Sequence, residues 1–373
     1  MLLRTAGALG VTRLVARSEW RRRRLLILCY HGISLEDEHR WNPELYMPAE
    51  QFRARMRHLR EGGYTILPLG EAVRRLYAGD LPPRSVAVTF DDGFHDFLAR
   101  AVPILREFGI PATNFVATFY SEFPRPVFDL AGSYLLWKAR ARGALALGAV
   151  IPGAAPVPIG TAEERDRAWA TLRAHAHDAH MTAAEKDELL ADLAAALGID
   201  YAAWTRTRML QQMRGDELRA LPADLVDVAL HTHRHRVPDE PAKFAREIVD
   251  NRASLGDLLR ADRDLALFCY PTGTYDARVT QWLAGLGVRA ATTSDPDLCS
   301  TSEHPLLLPR FTDTTGQPGW VFEAWASGLY AGLPVSPRVR ELRRRRLGAR
   351  PQAAAPAPAG RPSTAALSDA GAW

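Results

Sequence analysis

The stretch AVTFDDGFHDF, Ala87–Phe97, sets two carboxylates side by side directly after a short apolar run. Val86, Ala87 and Val88 read as a buried strand, and Gly93 marks where it stops. Neighbouring side chains on a strand point to opposite faces. Asp91 and Asp92 at its end are therefore either a turn with two solvated acids or a pair that divides two tasks around a positive charge.

On either side of this stretch the chain repeats one rhythm. Apolar runs of strand length, LLILCY (25–30), PATNFVAT (111–118), LVDVAL (225–230), LALFCY (265–270) and VRAATT (288–293), alternate with helical patterns at 47–60, 241–260 and 277–286. Strands alternating with helices predict a β/α fold with a parallel sheet. Two regions break the rhythm. Residues from about 119 to 208 are rich in alanine and charge, with helical stretches around 134–147, 162–180 and 182–197. They read as a helical insertion into the β/α framework without a core of its own. Residues 338–373 are rich in arginine, alanine and proline and low in large apolar residues, the composition of a disordered tail. The catalytic framework is expected over 25–337, behind a basic leader at 1–24.

The composition narrows the class. At 373 residues and 47% hydrophobic, the chain can bury a sizeable core. A net charge of +4 is too weak to point to nucleic acid, and with all but three of the 47 basic residues arginine, the bias is compositional. Cys29, Cys269 and Cys299 are odd in number and lack metal-ligand spacing, so reduced thiols and a cytoplasmic location are expected. The leader is too interrupted for a signal peptide or a spanning helix. A frayed, solvated leader is expected. The alternative is a basic amphipathic helix over 2–15 lying peripherally on an anionic membrane face.

LHTHRHRV (230–237) follows the strand LVDVAL directly. In a helix or turn, His231 and His235 share a face. In an extended chain His231, His233 and His235 would. Two imidazoles can converge on one divalent ion at roughly 2.0–2.1 Å, and a carboxylate commonly completes such a site. Strand C-terminal ends converge on one face in β/α barrels and doubly wound sheets alike. One aspartate of the 91–92 pair can then bind a cation while the other stays free as a base.

VTFDDGF, HTHRH and FCYPTGTYD, in that order, resemble the polysaccharide deacetylases, the NodB-homology family of carbohydrate esterases. The resemblance implies a deformed (β/α) barrel that removes acetyl groups from N- or O-acetylated sugars. It implies Asp91 as general base and Asp92, His231 and His235 as ligands of a divalent metal, zinc first and cobalt, nickel, iron or manganese after it. It implies substrate contacts from Pro271, Thr272 and Gly273, with Thr272 as oxyanion donor. Asp276 nearby reads as a helix N-cap. The sequence departs from the family at two places. Cys269 stands where many members carry an arginine that holds the base, and Arg310 in LLLPRF (306–311) is the candidate substitute. The C-terminal leucine-x-histidine motif with the general acid is not evident, since His304 in SEHPLLL does not match. LCYHGIS (28–34) resembles instead the branch with an N-terminal Tyr-His, which makes His31 the acid, expected across the cleft from the base. The implied partner is an acetylated carbohydrate, with no nucleic acid. The alternatives are a catalytically silent sugar-binding protein of the same fold, or an amidohydrolase acting on a small molecule.

Overall fold

Seven parallel strands carry the site: β1 (Leu26–Tyr30), β2 (Ser85–Phe90), β3 (Ala112–Val116), β4 (Val226–Leu230), β5 (Leu267–Cys269), β6 (Ala290–Thr292) and β7 (Phe311–Thr312). The computed structural model describes residues 11–260, 264–273, 275 and 277–332. The strands lie side by side in the order β6-β5-β4-β3-β2-β1-β7, and Thr65–Ile66 adds a short edge to the start of β2. The sheet curls until its ends meet. Phe311 pairs with Leu28 of β1, while Leu308, three residues earlier, forms a parallel bridge with Thr292 of β6. This is the deformed (β/α) barrel that the resemblance implies.

The alternating side chains of each strand build two separate cores. Ile27, Ala87, Phe115, Ala229, Cys269 and Leu308 pack together inside the barrel. Their neighbours Leu28, Val88, Val116, Leu230 and Phe268 belong to the larger layer beneath the surrounding helices. The helix Leu69–Ala78 sends Leu69, Ala72, Val73 and Leu76 into the inner cluster and stoppers the N-terminal mouth of the strands.

The insertion differs from expectation. Its helices Phe128–Lys138, Ala162–Asp178 and Ala183–Ala196 enclose a core of their own, including Phe128, Leu135, Trp169, Leu172, Leu193 and Trp204. The apolar positions at helical spacing, sparse in each helix alone, are pooled where three helices meet. The first helix begins at 128 instead of 134 and ends before Gly143, which adopts φ 75°. A short antiparallel pair, Ala144–Leu145 with Val157–Pro158, follows it.

The leader also departs from expectation. Residues 1–10 and the tail lie outside the described residues, but 11–24 are not frayed. Two short helices, Val11–Ala16 and Glu19–Arg22, lie on the helix Gly319–Ser327, with Thr12 Oγ1 donating to Glu323 Oε1 at 2.8 Å. Arg21 is wholly buried. It donates to the carbonyls of Ala326 (3.2 Å), Arg24 (2.6 Å) and Ser85 (3.2 Å), so one guanidinium ties the leader to the foot of β2. Among the described residues no helix is long and apolar enough to cross a membrane.

Candidate active site

Three strand ends and the segment before β7 bring the candidate residues together. β1 delivers His31, β2 delivers Asp91 and Asp92, β4 delivers His231 and His235, and Arg310 enters from the segment before β7. Both aspartates are buried. The turn that holds them is unusual: Asp92 has φ 73° and Gly93 φ 76°, two successive left-handed residues. A Cβ at Gly93 would also lie 2.8 Å from Val116 Cγ1, so glycine is required there twice over. This left-handed turn undoes the strand alternation and lets the adjacent carboxylates reach one cavity in different directions.

Asp92 faces the histidines. Its Oδ1 lies 3.2 Å from His231 Nε2 and 3.0 Å from His235 Nε2, and takes no well-directed hydrogen bond although it is buried. The three ligand atoms fall within 4.8 Å of one another. His231 Nδ1 lies 2.9 Å from the Cys269 carbonyl, which fixes that nitrogen as the donor and turns the Nε2 lone pair toward Asp92. One carboxylate and two imidazoles so disposed fit a divalent cation. Burial would raise the Asp92 carboxyl, but His235 and His231 hold it well below the usual carboxylate range. Burial lowers the His235 imidazole from its ordinary value, against the pull of Asp92.

His233 is turned away. Thr232 at φ 62° and His235 at φ 49° interrupt the segment, so neither a helix nor an extended strand describes it. His233 instead places Nδ1 2.8 Å from Thr118 Oγ1, and its carbonyl accepts from Phe119 N–H at 3.0 Å.

Asp91 has a different partner. Arg310 grips it with both arms, Nη1 to Oδ1 and Nη2 to Oδ2, each at 2.8 Å. The guanidinium is wholly buried and also donates to Thr293 O at 2.9 Å and Thr89 Oγ1 at 3.1 Å. Burial would raise the Asp91 carboxyl, but the Arg310 charge and its paired hydrogen bonds hold it far below its ordinary value. Cys269 Sγ sits 3.0 Å from Arg310 Nη2 and 3.4 Å from Asp91 Oδ2. The small thiol leaves the space through which a guanidinium from the other flank reaches Asp91. Two further groupings of metal-ligating side chains, with Cys29 and His31 or with His231 and Cys269, both draw on Asp91, whose oxygens Arg310 already occupies.

Residues 78–128 match the family model described as polysaccharide deacetylase. This stretch, which holds Asp91 and Asp92, is similar to that family. The Bacillus subtilis protein YxkH is 36% identical over 94 residues, 25% of this chain and 32% of the relative. The poly-beta-1,6-N-acetyl-D-glucosamine N-deacetylase of Escherichia coli K12 is 31% identical over 101 residues, 26% of this chain and 15% of the relative. The alignments thus span a third or less of these relatives. In three dimensions, the Streptococcus pyogenes deacetylase PplD superposes with a TM-score of 0.53 at 18% identity, over 83% of this chain and 97% of that one. It has the same fold.

Other residues of this barrel sit where the strand ends place them. His31 is partly exposed (23%), with Nε2 3.8 Å from Asp91 Oδ2. It therefore stands beside Asp91, not across the cleft from it, because β1 and β2 are adjacent strands in register. Gly32 is pressed so close to the Tyr46 ring that a Cβ would lie 2.1 Å from it, which fixes the chain just after His31. Pro271–Gly273 form a tight turn after β5, with Thr272 exposed at φ 58°. Asp276 lies outside the described residues. His304 is exposed and accepts from Leu306 N–H at 3.1 Å. Its neighbour Glu303 bonds Tyr77 of the stoppering helix, so His304 lies at the N-terminal mouth, away from the site.

Sequence reasoning missed the residues that hold the ligand loops. Asn251 accepts from His231 N–H at 3.0 Å and donates to Val116 O, and buried Glu247 accepts from Arg234 N–H and Arg236 Nε at 2.8 Å each. Both project from the helix Pro241–Leu259. Polar residues on an otherwise amphipathic helix were the available signal.

Proposed function

We propose that this protein is a metal-dependent hydrolase that removes acetyl groups from an acetylated sugar in polysaccharide or glycoconjugate metabolism. The observation that carries the reading is the division of labour between the two aspartates: Asp92 with His231 and His235, Asp91 with Arg310. Asp92, His231 and His235 would hold the divalent ion, with zinc the first candidate. Bound there, it supplies a Lewis acid and lowers the pKa of a coordinated water. Asp91, kept ionised by Arg310, is placed to accept the proton of the attacking water. The anion that forms on the carbonyl oxygen needs a donor, and the backbone of the Pro271–Thr272–Gly273 turn beyond β5 is the candidate. His31, next to the base and open to the cleft, would deliver a proton to the leaving amine, as the Tyr-His branch implies. The E. coli relative named as an N-deacetylase of a poly-N-acetylglucosamine supports an N-acetylated substrate.

The test is acetate release from a panel of N-acetylated oligosaccharides and O-acetylated sugars, using purified protein reconstituted with zinc or cobalt. Release by the parent protein, and a loss of about 10²–10⁴ in turnover with metal retained in Asp91→Asn, would support the reading. A protein that binds metal yet releases no acetate from any member would favour the silent sugar-binding alternative.

A further inference from the structure

The segment that leaves the helical insertion, 207–213, returns across the mouth of the barrel and pairs with the catalytic turn. Met213 N–H donates to Gly93 O and His95 N–H to Gln211 O, each at 2.8 Å, and Phe94 and Gln212 form an antiparallel bridge. Inside this pairing, Gln212 is 1% exposed and extends its side chain to the turn, where Nε2 donates to the Asp92 carbonyl at 2.8 Å. The strap is itself pinned. Arg208 donates to Gln212 O at 3.0 Å and to both oxygens of Glu217 at 2.9 Å, and His95 Nδ1 lies 2.8 Å from Glu217 Oε1.

Asp92 needs such support. A non-glycine residue in the left-handed region carries a cost of about 1–2 kcal/mol and persists only where the surroundings over-determine it. Its φ of 73° is also what aims Oδ1 at the two imidazoles. A hydrogen bond to the carbonyl of that residue fixes the orientation of the strained peptide, and with it the direction of the carboxylate.

We propose that Gln212 is a positioning residue for Asp92, and that through it the helical insertion is coupled to the metal centre. The inference rests on the metal-site reading above. Asp92 is the ligand, and Gln212 acts only through its backbone.

Gln212→Met keeps the side-chain length and removes the donor, and Gln212→Ala removes both. In each, zinc affinity measured by calorimetry should fall about 10–100-fold, the usual effect of losing an outer-shell partner. Amide hydrogen exchange over 90–97 in the metal-free protein should become faster. Parental affinity and parental exchange in the folded variants would overturn the proposal, even if the melting temperature dropped, because that drop alone is what a merely structural glutamine would show. If the parent itself bound no zinc, the metal reading would be the one to fail, and the exchange measurement would still decide whether Gln212 holds the turn.

Discussion

Arg310→Met tests the reading of the base most directly. The substitution keeps an unbranched side chain in the barrel and removes the cation that grips Asp91 at 2.8 Å through both oxygens. Breaking one partner of a buried ion pair costs about 3–5 kcal/mol, because the remaining charge is left uncompensated. An adjacent arginine lowers an aspartate pKa by about 1–3 units, so its loss moves Asp91 upward, with burial, the largest influence on it, then opposed by the weaker pull of His231 and His31. In the parent, the depressed carboxyl contributes stability that is fully present above its unfolded pKa of about 3.9 and is lost only as pH falls through the folded value. In Arg310→Met the folded carboxyl lies above the unfolded one. The sign reverses, and stability falls as pH rises from about 4 toward the new folded pKa. The gap in melting temperature between the metal-free parent and variant should therefore widen from pH 4 to pH 7. The acidic limb of acetate release should move upward by about 1–3 pH units. Arg310→Lys, which keeps the charge without the paired geometry, should lie between. A gap that stays constant with pH, together with an unmoved limb, would refute the assignment of Arg310 as the group that keeps Asp91 ionised.

Three further outcomes follow from the same geometry. His231→Ala, His235→Ala and Asp92→Asn should each lose bound metal, whereas His233→Ala should keep it, since its ring bonds Thr118; metal content of the purified variants decides, and equal loss in all four would mean the ligand set is wrong. His31→Gln should lower kcat on an N-acetylated sugar while sparing an activated acetyl ester, whose leaving group needs no proton, with metal content unchanged; undiminished amide hydrolysis would remove His31 from the mechanism. Arg21→Met should lower the melting temperature, because each buried carbonyl left without its donor costs about 1–3 kcal/mol. Its zinc affinity should stay at the parental value, since Arg21 lies at the foot of β2 and the site at its far end; a loss of metal binding would show that the leader influences the site.

What the sequence determined by itself is what lies within a few residues along the chain. Strand alternation separates the inner cluster from the outer layer, so the apolar runs at 25–30, 111–118 and 225–230 already specify a β/α fold. Asp91 and Asp92, and the spacing of His231 and His235, are local patterns, and strand ends that point the same way must bring them to one mouth. Tertiary structure decided whatever depends on partners far apart in sequence. Arg310, which only the family resemblance singled out, reaches Asp91 across 219 positions, Gln212 reaches Asp92 across 120, and Arg21 reaches Ala326 across 305. No local pattern marks such pairs, because a single arginine or glutamine fits the surface as well as the interior until its neighbours are placed. The same reason hid the core of the insertion, whose apolar residues are sparse on each helix and become a cluster only where the helices pack. It also put His31 beside the base: two adjacent parallel strands in register set their end residues side by side, which the sequence of neither strand records.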